Sequence, residues 1–239
     1  MLRLCLINGF VSLVACLGFA SADPITFAVT QSGANGQFGT LDLGTGAFTP
    51  LGSVRSGGWS GIGNLADGTL VGVDGNNYYV EIDGTTGAIT TIGPTGINVT
   101  TSASLLTGEQ YAVDDRNWLY ALDPVTGVAS LVGATGIPFD ISFANGLAGD
   151  NMGNLYYIYE DSRTLSALYQ LDLTTGAATL IGLTGAAGIV GAGFDGGIFY
   201  AYNTGHRVLT IDATTGLATD TGVGHASTFV VYGTNSAGQ

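Results

Sequence analysis

Beyond residue 22 the chain runs in apolar segments of about five residues separated by Gly, Asp, Asn and Thr, and no stretch keeps a 3.6-residue apolar period. This is strand-and-turn patterning. Residues 60–93 resolve into four strands, 60–65, 69–73, 78–83 and 88–93, with Ala66-Asp67-Gly68 as the first turn. The same order returns in 102–133, 143–182 and 190–222.

One phrase recurs at the third turn of each unit: a hydrophobic residue, then Asp-x-x-Thr-Gly, a short strand, and a hydrophobic-Gly pair. Its first copy reads Asp42-Leu43-Gly44-Thr45-Gly46, and later copies begin at Asp83, Asp123, Asp172 and Asp212. The spacings of 41, 40, 49 and 40 residues fit a four-stranded propeller blade. Residues 25–30 match a second strand without its first, and 228–232 match a first strand without its sequel. Pairing them removes two hydrophobic edges and closes the ring. The predicted fold is therefore all-β: a five-bladed β-propeller of four-stranded antiparallel blades, with the N- and C-terminal strands sharing one composite blade.

The repeated Asp reads as a turn residue. Its carboxylate accepts nearby N–H groups, and the Gly takes the left-handed position that lets the hairpin close. Asp123-Pro124-Val125-Thr126-Gly127 and its sisters resemble the repeats of pyrroloquinoline-quinone-type propellers and the looser blade repeats of exported bacterial proteins. The resemblance covers nearly all of residues 23–239 and implies a quinoprotein-like blade. In those repeats a Trp follows the Gly four positions later. Here those positions hold Pro50, Thr91, Leu131, Leu180 and Asp220. With five blades in place of eight, the departure argues against the quinone, and no cofactor is expected.

Residues 1–22 change the picture of location. Arg3, the apolar run 4–19 and Ala20-Ser21-Ala22 have the shape of a signal peptide cleaved before Asp23, which divides the chain into a leader (1–22) and one propeller domain (23–239). A secreted or periplasmic protein is expected, without an integral membrane segment in the mature chain. Leu13-Val14-Ala15-Cys16 also resembles a lipobox, so a lipoprotein anchored through Cys16 is the alternative. Both cysteines lie in the leader, which leaves the domain without thiols. It also lacks lysine and sets 18 acids against four arginines, a net charge of −14. That sign disfavours nucleic acid as a partner.

The rare residues then sort by face. The second-to-third-strand loops and the blade crossings make one face of a propeller. Arg55 and Trp59 fall in the first crossing, and Arg116, Trp118, Tyr159, Arg163, Tyr202, His206 and Arg207 fall in or beside second-to-third loops. His225 lies in the last crossing. Aromatic rings there suit stacking on sugars, and arginine forks suit gripping carboxylates or sulfates. These ten residues form the expected binding face for a glycan or protein ligand, on a monomer.

Catalysis has less support. Five-bladed glycosidases bring two or three carboxylates to the central funnel, but the expected inner strands contain no acid. Asp74, Asp114, Asp140 and Glu160 remain on the loop face, and no Gly-x-Ser-x-Gly elbow is present. No catalytic residue is assigned. His206 and His225 are too few for a zinc site of His alone, so no metal is assigned. A carbohydrate-active hydrolase and a structural surface or matrix protein are the alternatives.

Overall fold

A computed structural model describes residues 25–32, 35–138, 145–160, 165–225 and 230–236. The described residues form twenty strands and contain no helix. The first contiguous blade holds β4 (Trp59–Asn64), β5 (Leu70–Asp74), β6 (Tyr78–Ile82) and β7 (Ile89–Pro94). The second holds β8 (Val99–Ser104), β9 (Gln110–Asp114), β10 (Trp118–Leu122) and β11 (Ala129–Ala134). The third holds β12 (Asn145–Gly149), β13 (Leu155–Glu160), β14 (Ser166–Leu171) and β15 (Ala178–Leu183), and the fourth β16 (Ile189–Asp195), β17 (Ile198–Asn203), β18 (Arg207–Ile211) and β19 (Ala218–Gly224).

The termini complete the ring. The fifth sheet has the order β20-β1-β2-β3, in which β20 (Val230–Ser236) is the inner strand, followed by β1 (Ile25–Ser32), β2 (Asn35–Asp42) and β3 (Phe48–Ser56). The chain ends meet in antiparallel register from Thr26↔Ser236 to Gln31↔Val230, so β1 has a partner on both sides. The fold is the five-bladed propeller expected from the repeat. Residues 228–229, part of the strand expected at 228–232, lie outside the described residues.

Burial falls from the axis outward. In the first blade β4 and β5 are almost wholly buried, β6 alternates and β7 is largely exposed. The inner strands are rich in Gly because their backbones nearly touch: a Cβ at Gly61 would sit 2.0 Å from the Ser102 carbonyl oxygen. The core is divided into five apolar clusters, one at each blade interface, including Tyr157 and Leu119 between the second and third blades and Val29, Phe38 and Ile62 beside the closing blade. Both faces of a blade are therefore interior.

The outer strands are clasped by the repeat itself. Each third-to-fourth pairing carries a register shift, as between Tyr79 and Val80 or Leu119 and Tyr120, which adds twist. The Asp-x-x-Thr-Gly turn of each blade packs on the hydrophobic-Gly pair of the preceding one. A Cβ at Gly133 would lie 2.0 Å from the Thr175 carbonyl oxygen, and one at Gly46 would lie 2.0 Å from that of Gly224. Ala129, Ala178 and Ala218 donate their N–H groups to the carbonyls of Thr95, Thr135 and Thr184 in the preceding crossings, at 2.8–2.9 Å. Twist thus carries these turns to the blade interfaces, not to a separate face.

Candidate ligand-binding face

The second-to-third turns are a second repeated device. Asp74 Oδ1 accepts the N–H groups of Asn76 (3.0 Å) and Tyr78 (2.9 Å), and Asp114 Oδ1 those of Arg116 and Trp118 (both 2.9 Å). Asn203 Oδ1 accepts the N–H of Arg207 at 3.0 Å. The fourth residue of each turn is left-handed: Asn77 (φ 64°), Asn117 (59°) and His206 (60°), a conformation that Asn tolerates better than most residues. Asp74 and Asp114 are therefore buried anchors of their turns. Glu160 is also engaged, accepting from the Gly188 N–H and the Ser166 hydroxyl. Asp140 lies outside the described residues.

The ten expected binding residues separate into several places. Arg55 donates through Nη2 to Asp74 Oδ2 at 2.8 Å, and its guanidinium lies 5.9 Å from the centre of the Trp59 ring. Trp59 is only 2% exposed and packs in the interface between the closing and first blades, where it offers no face to a ligand. Tyr159 and Tyr202 are buried in interface clusters, Tyr159 against Tyr157 with ring centroids 5.7 Å apart. Arg163 lies outside the described residues.

Another group gathers at the fourth blade. His206 and His225 meet edge to face, with centroids 5.3 Å apart. They stand where earlier blades place Asn77 with Thr95 and Asn117 with Thr135: the backbone N–H of the second residue donates to the carbonyl of the first in all three pairs. Arg207 forms a two-pronged pair with Asp220 at 2.9 and 2.8 Å. This pairing holds the Asp220 carboxyl below its usual range, with the Gly222 N–H as the next cause. Among the described residues no group of three or more His, Cys, Asp or Glu is placed to hold a metal ion.

Arg116 stands beside open space. A cleft of about 450 Å³ lies between the second-to-third turns of the first and second blades, floored by the crossing from Pro94 to Asn98. Tyr78, 43% exposed, and Tyr120 supply ring surface in it. The polar side is made by amides, with Asn77 Nδ2 3.4 Å from Asn98 Oδ1 and Asn98 Nδ2 donating to Asp115 Oδ2 at 3.1 Å. Arg116 is exposed and has no ion-pair partner among the described residues. Trp118 is 37% exposed and is not among the residues that line the cleft. The Tyr120 hydroxyl donates to Asp114 Oδ2 at 3.1 Å; desolvation, then the Asp114 charge, raises its pKa.

Among the described residues the axis offers no comparable space. The cavity among the inner strands is about 10 Å³, bounded by residues such as Ile62, Ser104, Leu147 and Phe194, barely the volume of one water. None of its described lining residues is an acid.

No protein-family model matches the chain, and no curated protein matches it. Among solved structures it is similar to a chain of a nidogen/laminin complex, with a TM-score of 0.61 and 12% identity over 88% of this chain and 97% of that one. It is also similar to TolB from Acinetobacter baumannii, with a TM-score of 0.51 and 15% identity over 88% of this chain and 58% of that one. Both are β-propeller proteins. At these identities the likeness shows the fold.

Proposed function

We propose that this propeller works by binding, without catalysis, and that its ligand is a neutral, hydroxyl-rich glycan seated in the cleft between the first two contiguous blades. The observation that carries this reading is the roughly 450 Å³ cleft itself, which combines Tyr78 and Tyr120 rings with Asn amides and with Arg116, which has no ion-pair partner among the described residues. Sugar rings need one stacking surface and several fixed donors and acceptors. The chain's net charge of −13 weighs against a polyanionic glycan. A two-carboxylate hydrolase is the poorer reading, because Asp74, Asp114 and Glu160 are engaged in holding turns and a crossing.

On an array of neutral oligosaccharides the full mature chain retains one class, and Arg116→Ala and Tyr78→Ala each weaken retention about tenfold, the loss expected for a stacking ring or a charged hydrogen bond. A blank array, or binding indifferent to both substitutions, overturns the reading. A protein ligand is the second reading, favoured by Tyr78, Tyr120 and Arg116 in the cleft, residue types that dominate protein interfaces. Export belongs to the same proposal: expression in a secreting bacterium yields a chain beginning at Asp23, whereas acylated Cys16 at the N-terminus would establish the lipoprotein alternative.

A further inference from the structure

The cleft between the first and second blades mixes residues that repeat with residues that do not. Asp74 and Asp114 recur as turn anchors, and Asn77 and Asn117 recur at the left-handed position. Asn98, Asp115 and Arg116 do not recur. The next crossing repeats Thr95-Gly96-Ile97 as Thr135-Gly136-Ile137 but has Pro138 where Asn98 stands. The first blade's turn has Gly75 and Asn76 where the second has Asp115 and Arg116. The repeated positions build the scaffold, so the three unrepeated side chains give this cleft its own chemistry.

The floor that carries Asn98 is clamped on both sides. The Thr95 hydroxyl donates to the Asn77 carbonyl at 3.0 Å and the Val99 N–H to Asn77 Oδ1 at 2.8 Å, which ties it to the first blade. The Asp115 N–H donates to the Asn98 carbonyl and Asn98 Nδ2 to Asp115 Oδ2, both at 3.1 Å, which ties it to the second. A ligand therefore meets a surface already in place, with little ordering left to do. Among the described residues nothing donates to Asp115 Oδ1, and the neighbouring Arg116 guanidinium has no ion-pair partner. Exposed Pro94 and half-buried Ile97 give the same floor an apolar patch.

A carboxylate acceptor, a guanidinium donor and an apolar patch set three demands on a neutral group. It must give an N–H or O–H, accept at an oxygen, and bury carbon. A sugar hydroxyl meets the first two and leaves Ile97 and Pro94 uncovered. An acetamido group meets all three, with its N–H, its carbonyl and its methyl.

We propose that the glycan seated here carries acetamido groups at C2, and that the cleft selects its ligand by them. The acetamido N–H donates to Asp115 Oδ1, its carbonyl accepts from Arg116, and its methyl lies on Ile97 and Pro94 while the sugar ring stacks on Tyr78. This rests on the cleft being the glycan seat and narrows the ligand to chains containing N-acetylhexosamine.

The mature chain is titrated by amide NMR with two pairs of sugars whose members differ only in hydroxyl or acetamido groups at C2: cellotriose with chitotriose, and lactose with N-acetyllactosamine. In at least one pair the acetamido member binds about tenfold more tightly than its partner and shifts amides in 96–98 and 114–116. Asp115→Ala brings that ratio close to one. The ratio is read within one variant, so a general loss of stability does not imitate the result. Asp115→Asn, which keeps an acceptor for Asn98, narrows the ratio to a lesser degree. Equal affinities within both pairs, or a ratio that survives Asp115→Ala, overturns the inference and leaves the glycan seat standing. No saturable shift with either acetamido sugar overturns it as well, and the neutral-oligosaccharide array then judges the broader reading by itself.

Discussion

At the scale of the residue, the repeated Asp is a turn anchor in every copy. Asp83 and Asp172 each accept two N–H groups on Oδ1 at 2.8 and 2.9 Å, and the Thr three positions on accepts the next N–H. The carboxyls of Asp83, Asp123 and Asp172 are held below their usual range chiefly by the N–H groups of Thr86, Thr126 and Thr175, that of Asp212 chiefly by the Thr214 hydroxyl. A depressed folded-state value contributes stability above the unfolded value, near pH 4, that is lost as pH falls through the folded value. Urea midpoints should therefore fall steadily on acidification below about pH 4, and Asp172→Asn, which keeps an acceptor oxygen, should flatten that slope. A midpoint independent of pH in this window would contradict the assignment.

The glycine clasps allow a second residue-scale test. Gly133→Ala drives a Cβ into the Thr175 carbonyl across a blade interface, which costs about 1–3 kcal/mol as overpacking, read as a lower urea midpoint. Ala at Gly146, whose nearest neighbours would lie at 3.1–3.2 Å, demands only a small adjustment and costs less. Equal losses at the two sites would remove the clasp from the account.

At the scale of the element, each blade is sandwiched between two others, and this limits what alternation along a strand reveals. In β13, Tyr157 and Tyr159 face the second blade, and Tyr156 and Ile158 face the fourth. Period-two patterning marks two opposed faces but not which neighbour covers each, so Tyr159 and Tyr202 read as exposed ring surface when both are interior. The 41- and 40-residue spacings, the turns and the composite blade were legible because each rests on local turn chemistry or on one missing strand. The Arg55–Asp74 contact and the cleft were not, since they join segments from different blades. The Asp74-x-x-Asn77 and Asp114-x-x-Asn117 turns, 40 residues apart, were visible in the sequence, but their acids read as carboxylates available for catalysis on the loop face. Closure through β1 and β20 also has an element-scale consequence. Deleting residues 230–239 leaves β1 with a bare edge and should yield self-association by sedimentation, with a lower melting temperature; a deletion variant that stays monomeric and melts like the full chain would contradict it.

At the scale of the molecule, the ring is a frame with two clefts that lie off its axis. Among the described residues the space between the inner strands is about 10 Å³, and two larger spaces lie between neighbouring blades, one between second-to-third turns and one among first-to-second hairpins. The central claim is that the cleft between the first and second blades is the principal ligand seat. It is tested most directly by mapping amide shifts of the mature chain during titration with cello-, laminari-, manno- and chito-hexaose. The account predicts that at least one hexasaccharide shifts residues 76–78, 96–98 and 114–120 together in a saturable manner, and that Arg116→Ala weakens this about tenfold. The absence of any saturable shift, or shifts confined to residues away from that cleft, would contradict it.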